Sequence, residues 1–304
     1  GRDGPALSAR VKARGNFRRQ RKICPFPSYW LNFRKSEVEG SVFDGLDKVK
    51  VVAHCREGRA GFDAYVYKEY LAYRTYSILT DRSFRVRRAT VVYVDSEKGR
   101  RSDPELAFFI ESVESFAERH GGEQVESRYV LPSEYDAEAL CLAELFQYFV
   151  GNSDFSFFAS QDECCHNGKA FALRTEGANG FVPVPYDFDL SGLVDPPYAT
   201  VSGNLPIESV RERYFRGVDT SEEILARTIE RYLAKEDEIM ALWEGADDLD
   251  EKHRERALRY IGAFFRTLKD EAGVEEAFRK RMRSAQSIER QIAERRAAIA
   301  AEPD

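Results

Sequence analysis

Between Asn152 and Gly192 the chain carries Asp154 in a loop, Asn167 further on, a short hairpin, and then Asp187, Phe188 and Asp189 at a strand end. Phosphoryl transfer from a nucleotide requires such a set. One carboxylate orients a nucleophile, while an Asn and a second carboxylate hold the metal ions that offset phosphate charge. The plainer alternative is that these are loop residues at a hairpin, because Asp and Asn hydrogen-bond their own backbone in turns.

Two upstream stretches bear on that choice. Lys48–Cys55 (KVKVVAHC) reads as a strand with Lys48 and Lys50 on one face. A strand lysine can grip nucleotide phosphates, and it can equally guard an exposed edge. The spacing then predicts a helix over Phe62–Leu79, on which Glu69 shares a largely aromatic stripe with Tyr65, Ala72 and Tyr76. A carboxylate on a packed stripe is costly unless paired, and a lysine on the preceding strand is the natural partner. A strand Lys braced by a helix Glu is the phosphate clamp of protein kinases. Upstream, Arg10–Lys22 holds seven basic residues and no acid. A strand through Val11 and Ala13 with a Gly15-Asn16 turn can lay amides and guanidinium groups over phosphates, or form a solvated basic hairpin.

The elements that must position these residues follow in order. Ser28–Arg34 reads as a strand, and Ser83–Asp95 as one long strand or a pair. The charged run Ser96–Ser102 is the expected connector between two lobes. Ser102-Asp103-Pro104-Glu105 has a capping-box pattern with an early Pro, so a helix is expected from there to His120, stopping at Gly121-Gly122. A second helix is expected from about Ser133 to Gly151, then strands over Ala170–Arg174 and Phe181–Pro185. Charged amphipathic helices fill Ser221–Trp243, Asp250–Lys269 and Val274–Ala301.

Bulk properties narrow the class. With 304 residues, 43% hydrophobic and 32% charged, the chain can bury a substantial core and is not a disordered segment. A net charge of -6 argues against nucleic acid as the main partner. No run of about 18 apolar residues is present, so no membrane span is expected. The first ten residues hold no apolar signal core, and a processed N-terminus is expected. Five cysteines are too few for a disulfide scaffold and lack zinc spacing. Cys24 and Cys55 flank two predicted strands and can pair; the adjacent Cys164 and Cys165 can form a redox pair or pack as thiols.

The run VKARGNFRR resembles the opening strand and RGN turn of the CotH family of atypical, secreted protein kinases. GNSD with the later HN, and PVPYDFDLSG, resemble that family's catalytic and metal-binding loops. ARGNFRR, KVKVVAHC, EYLAYR, CCHN and PVPYDFDLSGLV are more similar still to a group of exported bacterial proteins related to CotH. The likeness spans about residues 8 to 215. It implies an α+β, protein-kinase-like two-lobed fold, with a small antiparallel β N-lobe over 1–100 carrying one helix. A mainly helical C-lobe over 101–304 ends in a helical extension. It also implies ATP with Mg²⁺ or Mn²⁺, a Ser or Thr acceptor on another protein, and an exported (periplasmic or extracellular) location in the cell envelope.

Carried onto this chain, the resemblance has Arg14, Gly15 and Asn16 cover the phosphates. Lys50, or as second choice Lys48, binds them and pairs with Glu69. Asp154 is the catalytic acid-base residue, and Asn167 and Asp187 ligate the metal, with Asp189 as alternative. Protein kinases place the catalytic Asp five residues before the metal-binding Asn. Asp154 stands thirteen before Asn167, whereas Asp162 has the five-residue spacing, so both are candidates. Three other outcomes stay open: AMP transfer in place of phosphoryl transfer, a non-catalytic pseudokinase scaffold, and a carboxylate-based hydrolase.

Overall fold

The computed structural model describes residues 4, 6–15, 20, 22, 24–55, 61–160, 164–174, 179–203 and 205–300, the side chains of 299 and 300 excepted. Asn16 and Asp162, two of the expected site residues, lie outside the described residues.

The first half supplies β1 (Arg10–Ala13), β2 (Tyr29–Asn32), the single-turn α1 (Lys35–Val38), β3 (Lys48–Val52), α2 (Phe62–Leu79), β4 (Val86–Val91), β5 (Glu105–Ile110) and α3 (Val113–Arg119). Its five strands form one antiparallel sheet in the order β1-β2-β3-β5-β4. Then come β6 (Glu123–Gln124), α4 (Ala137–Val150), β7 (Gly168–Ala172) and β8 (Val182–Pro185), the three strands pairing as a small sheet. From Glu222 onward the chain is mainly helical: α5 (Glu222–Ala234), α6 (Glu236–Glu244), α7 (Glu251–Lys269), α8 (Glu271–Ala277) and α9 (Ala285–Ala300). The chain is therefore α+β, a five-stranded antiparallel sheet followed by a mainly helical region. No helix among the described residues is long and apolar enough to cross a membrane.

Helix α2 occupies the residues expected of it and is held from both sides. Tyr70 and Tyr73 meet Phe108 of β5, while Trp243 of α6 donates its indole N–H to Thr75 Oγ1 at 3.0 Å. One apolar core runs from the sheet through α2, α4, Phe188 and α7. Its continuity is what lets distant loops share a cleft.

Three expectations need correction. The capping-box pattern at Ser102 does not open a helix: Glu105–Ile110 is a central strand between β3 and β4, buried on both faces. Its apolar run ELAFFI has no strand-like alternation because neither face is solvated, and ladder pairing outweighs the local capping signal. The helix starts later, at Ser112, whose Oγ accepts the Ser115 N–H. Ser96–Ser102 is likewise no inter-lobe connector but the turn joining β4 to β5, with Asp95 Oδ1 accepting the N–H of Glu97 and Lys98. Since β5 belongs to the first sheet, that sheet runs to Ile110, past the border expected at residue 100.

Cys24 and Cys55 form a disulfide that closes a separation of 31 residues beneath Phe62. Cross-linking a loop of that length stabilises by about 3 to 4 kcal/mol in the chain-entropy account. Cys24→Ala with Cys55→Ala is expected to lose most of that in a urea melt. A loss under about 1 kcal/mol would show that the bridge adds little beyond packing.

Candidate active site

Helix α4 ends at Gly151, and the GNSD loop begins there with φ +67°. A side chain at Gly151 would lie 2.0 Å from the Tyr260 hydroxyl, and one at Gly192 would lie 2.1 Å from the Val210 carbonyl oxygen. Both positions need glycine because Tyr260 and Val210 crowd them. The two loops also touch: Gly192 N–H donates to Gly151 O at 3.0 Å and Leu193 N–H to Val150 O at 2.9 Å. The GNSD loop and the Asp-Phe-Asp loop are thus tied backbone to backbone.

Within the first loop, Asn152 Oδ1 accepts the Asp154 N–H at 2.9 Å, an Asx turn that presents the Asp154 carboxylate. Asp154 Oδ1 meets His166 Nε2 at 3.0 Å and accepts the Ser202 hydroxyl at 2.8 Å. The His166 hydrogen bond, helped by Ser202 and by the charge of Arg216, holds Asp154 below the usual carboxylate range despite partial burial. The same contact raises the His166 pKa. Asn167 Nδ2 donates to the Asp154 carbonyl and lies 3.4 Å from its Oδ2. Thirteen residues of separation in the chain therefore close to direct contact.

Across the cleft, Asp187 donates its backbone N–H to the Tyr73 hydroxyl of α2 at 2.9 Å. Phe188 is fully buried against Tyr73 and Phe146. Asn167 and Asp187 have φ of 49° and 62°. Asn and Asp tolerate this left-handed conformation best among side-chain-bearing residues, and strain of this kind collects at functional sites. Tyr186 N–H donates to Asn167 O at 3.3 Å, which joins the two turns.

These groups line one cavity of about 530 Å³. Arg14, Gly15, Lys50, Glu69, Asp154, Asn167, Asp187 and Asp189 all face it, so the described candidates converge with one exception. The exception is Lys48, which lies outside the cleft and pairs with exposed Glu114 of α3 at 2.8 Å. Lys50, one pleat further on, is buried, and its Nζ donates to the Tyr186 hydroxyl at 2.8 Å. Arg14 stacks over Trp30 at 5.5 Å on the same wall, and Gly15 has φ +88° with open space around it.

No profile of a known protein family matches the chain, and no curated protein matches it significantly.

Among the described residues no group of three or more His, Cys, Asp and Glu is placed to hold a metal ion. A zinc-type cage is not what this donor set suits. Mg²⁺ and Mn²⁺ bound with nucleotides take one or two protein oxygens and fill the rest of their shell with phosphate and water. Asn167 and Asp187 fit that role: Asn167 commits its Nδ2 to Asp154, leaving Oδ1 as the oxygen donor. Asp189 lines the same wall.

Sequence reasoning did not single out Tyr186, Tyr73 or Ser202. Tyr73 follows Glu69 by four residues, so helical spacing alone places it on the Glu69 face. Tyr186 directly precedes Asp187 and pointed to itself by position only. Ser202 lies in irregular chain with no local signal. Just before His166, Cys164 and Cys165 are joined in a disulfide, and the Cys165 wall borders the cleft. Cys141 remains a free, buried thiol.

Proposed function

We propose that the chain is an ATP- and metal-dependent phosphotransferase with a protein-kinase-like, two-lobed arrangement of the CotH type. The acceptor is the hydroxyl of a Ser or Thr on another protein. The observation that carries this reading is the meeting of Lys50, Glu69, Asp154, Asn167 and Asp187 on one cavity, from five separate segments. Arg14 and Lys50 supply positive charge for phosphate oxygens, and the backbone at Gly15 allows close approach. Asp154, ionised and steered by His166 and Ser202, orients the acceptor hydroxyl and takes its proton. Asn167 and Asp187 are the residues that would hold Mg²⁺ or Mn²⁺, whose charge offsets that of the phosphates when bound. The exported location implied by the resemblance goes with this proposal, and two disulfides support it, since such bridges persist in oxidising compartments.

The test is a thermal-shift titration with ATP and Mn²⁺. Saturating ligand is expected to raise Tm by mass action, by the equivalent of about 2.7 kcal/mol at a hundredfold excess over Kd. Asp187→Ala is expected to abolish the metal-dependent part. No shift in the unaltered protein would favour a non-catalytic scaffold. The observation on that side is that Asp154 Oδ1 is already engaged by two donors. Product analysis with labelled ATP separates phosphoryl transfer from AMP transfer and from hydrolysis.

A further inference from the structure

A second cavity, of about 280 Å³, lies apart from the cleft, between α4, the segment 218–220 and the start of α9. Leu140, Cys141 and Val218 give it apolar walls, and Glu144, Asp219 and Glu289 are its ionisable carboxyl groups; no Lys, Arg or His lines it. Asp219 Oδ1 accepts the Ala285 N–H and Glu289 Oε1 the Ser133 N–H, so both have backbone work. Glu144 differs. It is 2% exposed, its Oε2 accepts the Val218 N–H at 3.1 Å, and its Oε1 has no hydrogen-bond partner among the described residues.

The surrounding chain makes room for this carboxyl. A side chain at Gly217 would come within 2.6 Å of Glu144 Oε2. Among the buried residues of α4 Glu144 is the one ionisable carboxyl, and an apolar residue would cost less at this position. Burial pushes the Glu144 carboxyl up to about 8, against the Val218 N–H and the charge of Arg283, which favour ionisation, and with Asp219 opposing it.

We propose that this cavity binds a small organic cation, an ammonium group on a short apolar chain, with Glu144 as its counter-ion. The acidic lining without a basic residue selects positive charge, and the apolar walls take the alkyl chain. On binding at neutral pH the Glu144 carboxyl passes its proton to buffer and pairs with the ammonium. This inference does not rest on the phosphotransferase reading.

n-Butylammonium is the probe, with 1-butanol and butyrate as neutral and anionic counterparts. Calorimetry is expected to give a Kd of about 1 mM for the amine, the scale that five heavy atoms allow. The other two probes are expected to bind at least tenfold more weakly. Repeating the titration at pH 7 in buffers of different ionisation enthalpy is expected to report release of most of one proton, vanishing near pH 9.5 where Glu144 is already ionised. Glu144→Gln is expected to lose at least tenfold in affinity, and Glu289→Gln a smaller factor. The variant itself carries a stability signature. A carboxyl raised in the folded state loses stability as pH rises from its unfolded value through about 8. Glu144→Gln therefore melts higher than the parent at pH 8.5, by a few degrees, and nearly alike at pH 5. Equal binding of butanol and butylammonium, absence of proton release, or full affinity in Glu144→Gln would each overturn the proposal. So would no binding of the amine at 20 mM. Proton release is read on the unaltered protein, so the test survives a variant that does not fold.

Discussion

Asp154→Ala is expected to cut phosphoryl transfer by about 10³-fold while leaving the ATP·Mn²⁺ thermal shift nearly unchanged. The division follows from geometry. Asp154 meets His166 and Ser202 through Oδ1 and borders Asn167 through Oδ2, and its side chain is 33% exposed. Lys50 and Asp187 hold their positions through Tyr186 and Tyr73, not through the Asp154 carboxylate. On the proposed reading, removing it deletes the group that steers the acceptor and leaves the nucleotide wall standing. Single-turnover transfer to a generic Ser/Thr substrate, measured beside the thermal shift, checks this. Retention of more than a tenth of the transfer rate would shift the acid-base role to Asp162, the candidate with the five-residue spacing.

Lys50→Met and Lys48→Met are expected to differ by about 100-fold in kcat/KM. Lys50 is 2% exposed and its Nζ sits on Tyr186 inside the cavity, so Met fills its volume and removes its charge. Lys48 is spent on Glu114 outside, an exposed pair worth less than about 1 kcal/mol. The Lys48 variant should behave like the parent in both affinity and transfer. Equal effects of the two substitutions, read from initial rates over an ATP series, would remove Lys50 from the phosphate-binding role.

How far the sequence alone led can be judged residue by residue. Helix α2 was legible to its ends, since its aromatic stripe repeats at helical spacing. The hairpin of β7 and β8 was legible in place, although β7 starts and ends two residues before the expected Ala170–Arg174. The ordering of Asp154, Asn167 and Asp187 along the chain was legible too. The Glu105–Ile110 strand was not, because a strand buried on both faces loses the alternation that identifies it and a capping pattern then reads as a helix start. The role of Ser96–Ser102 failed with it, since a turn and a connector are composed alike.

Which lysine enters the cavity was also beyond the sequence. Lys48 and Lys50 share a face by parity, and only the position of Glu114 on α3 and of Tyr186 beyond β8 separates them. The same holds for the contact of Asp154 with Asn167 and for the Tyr73 hydroxyl on Asp187. Local spacing determines which element a residue joins and which way it faces, because those depend on neighbours within a few positions. Partners such as Lys50 and Tyr186 sit 136 residues apart, and they meet because a shared apolar core sets the distance between their elements, which is a property of the packed chain as a whole.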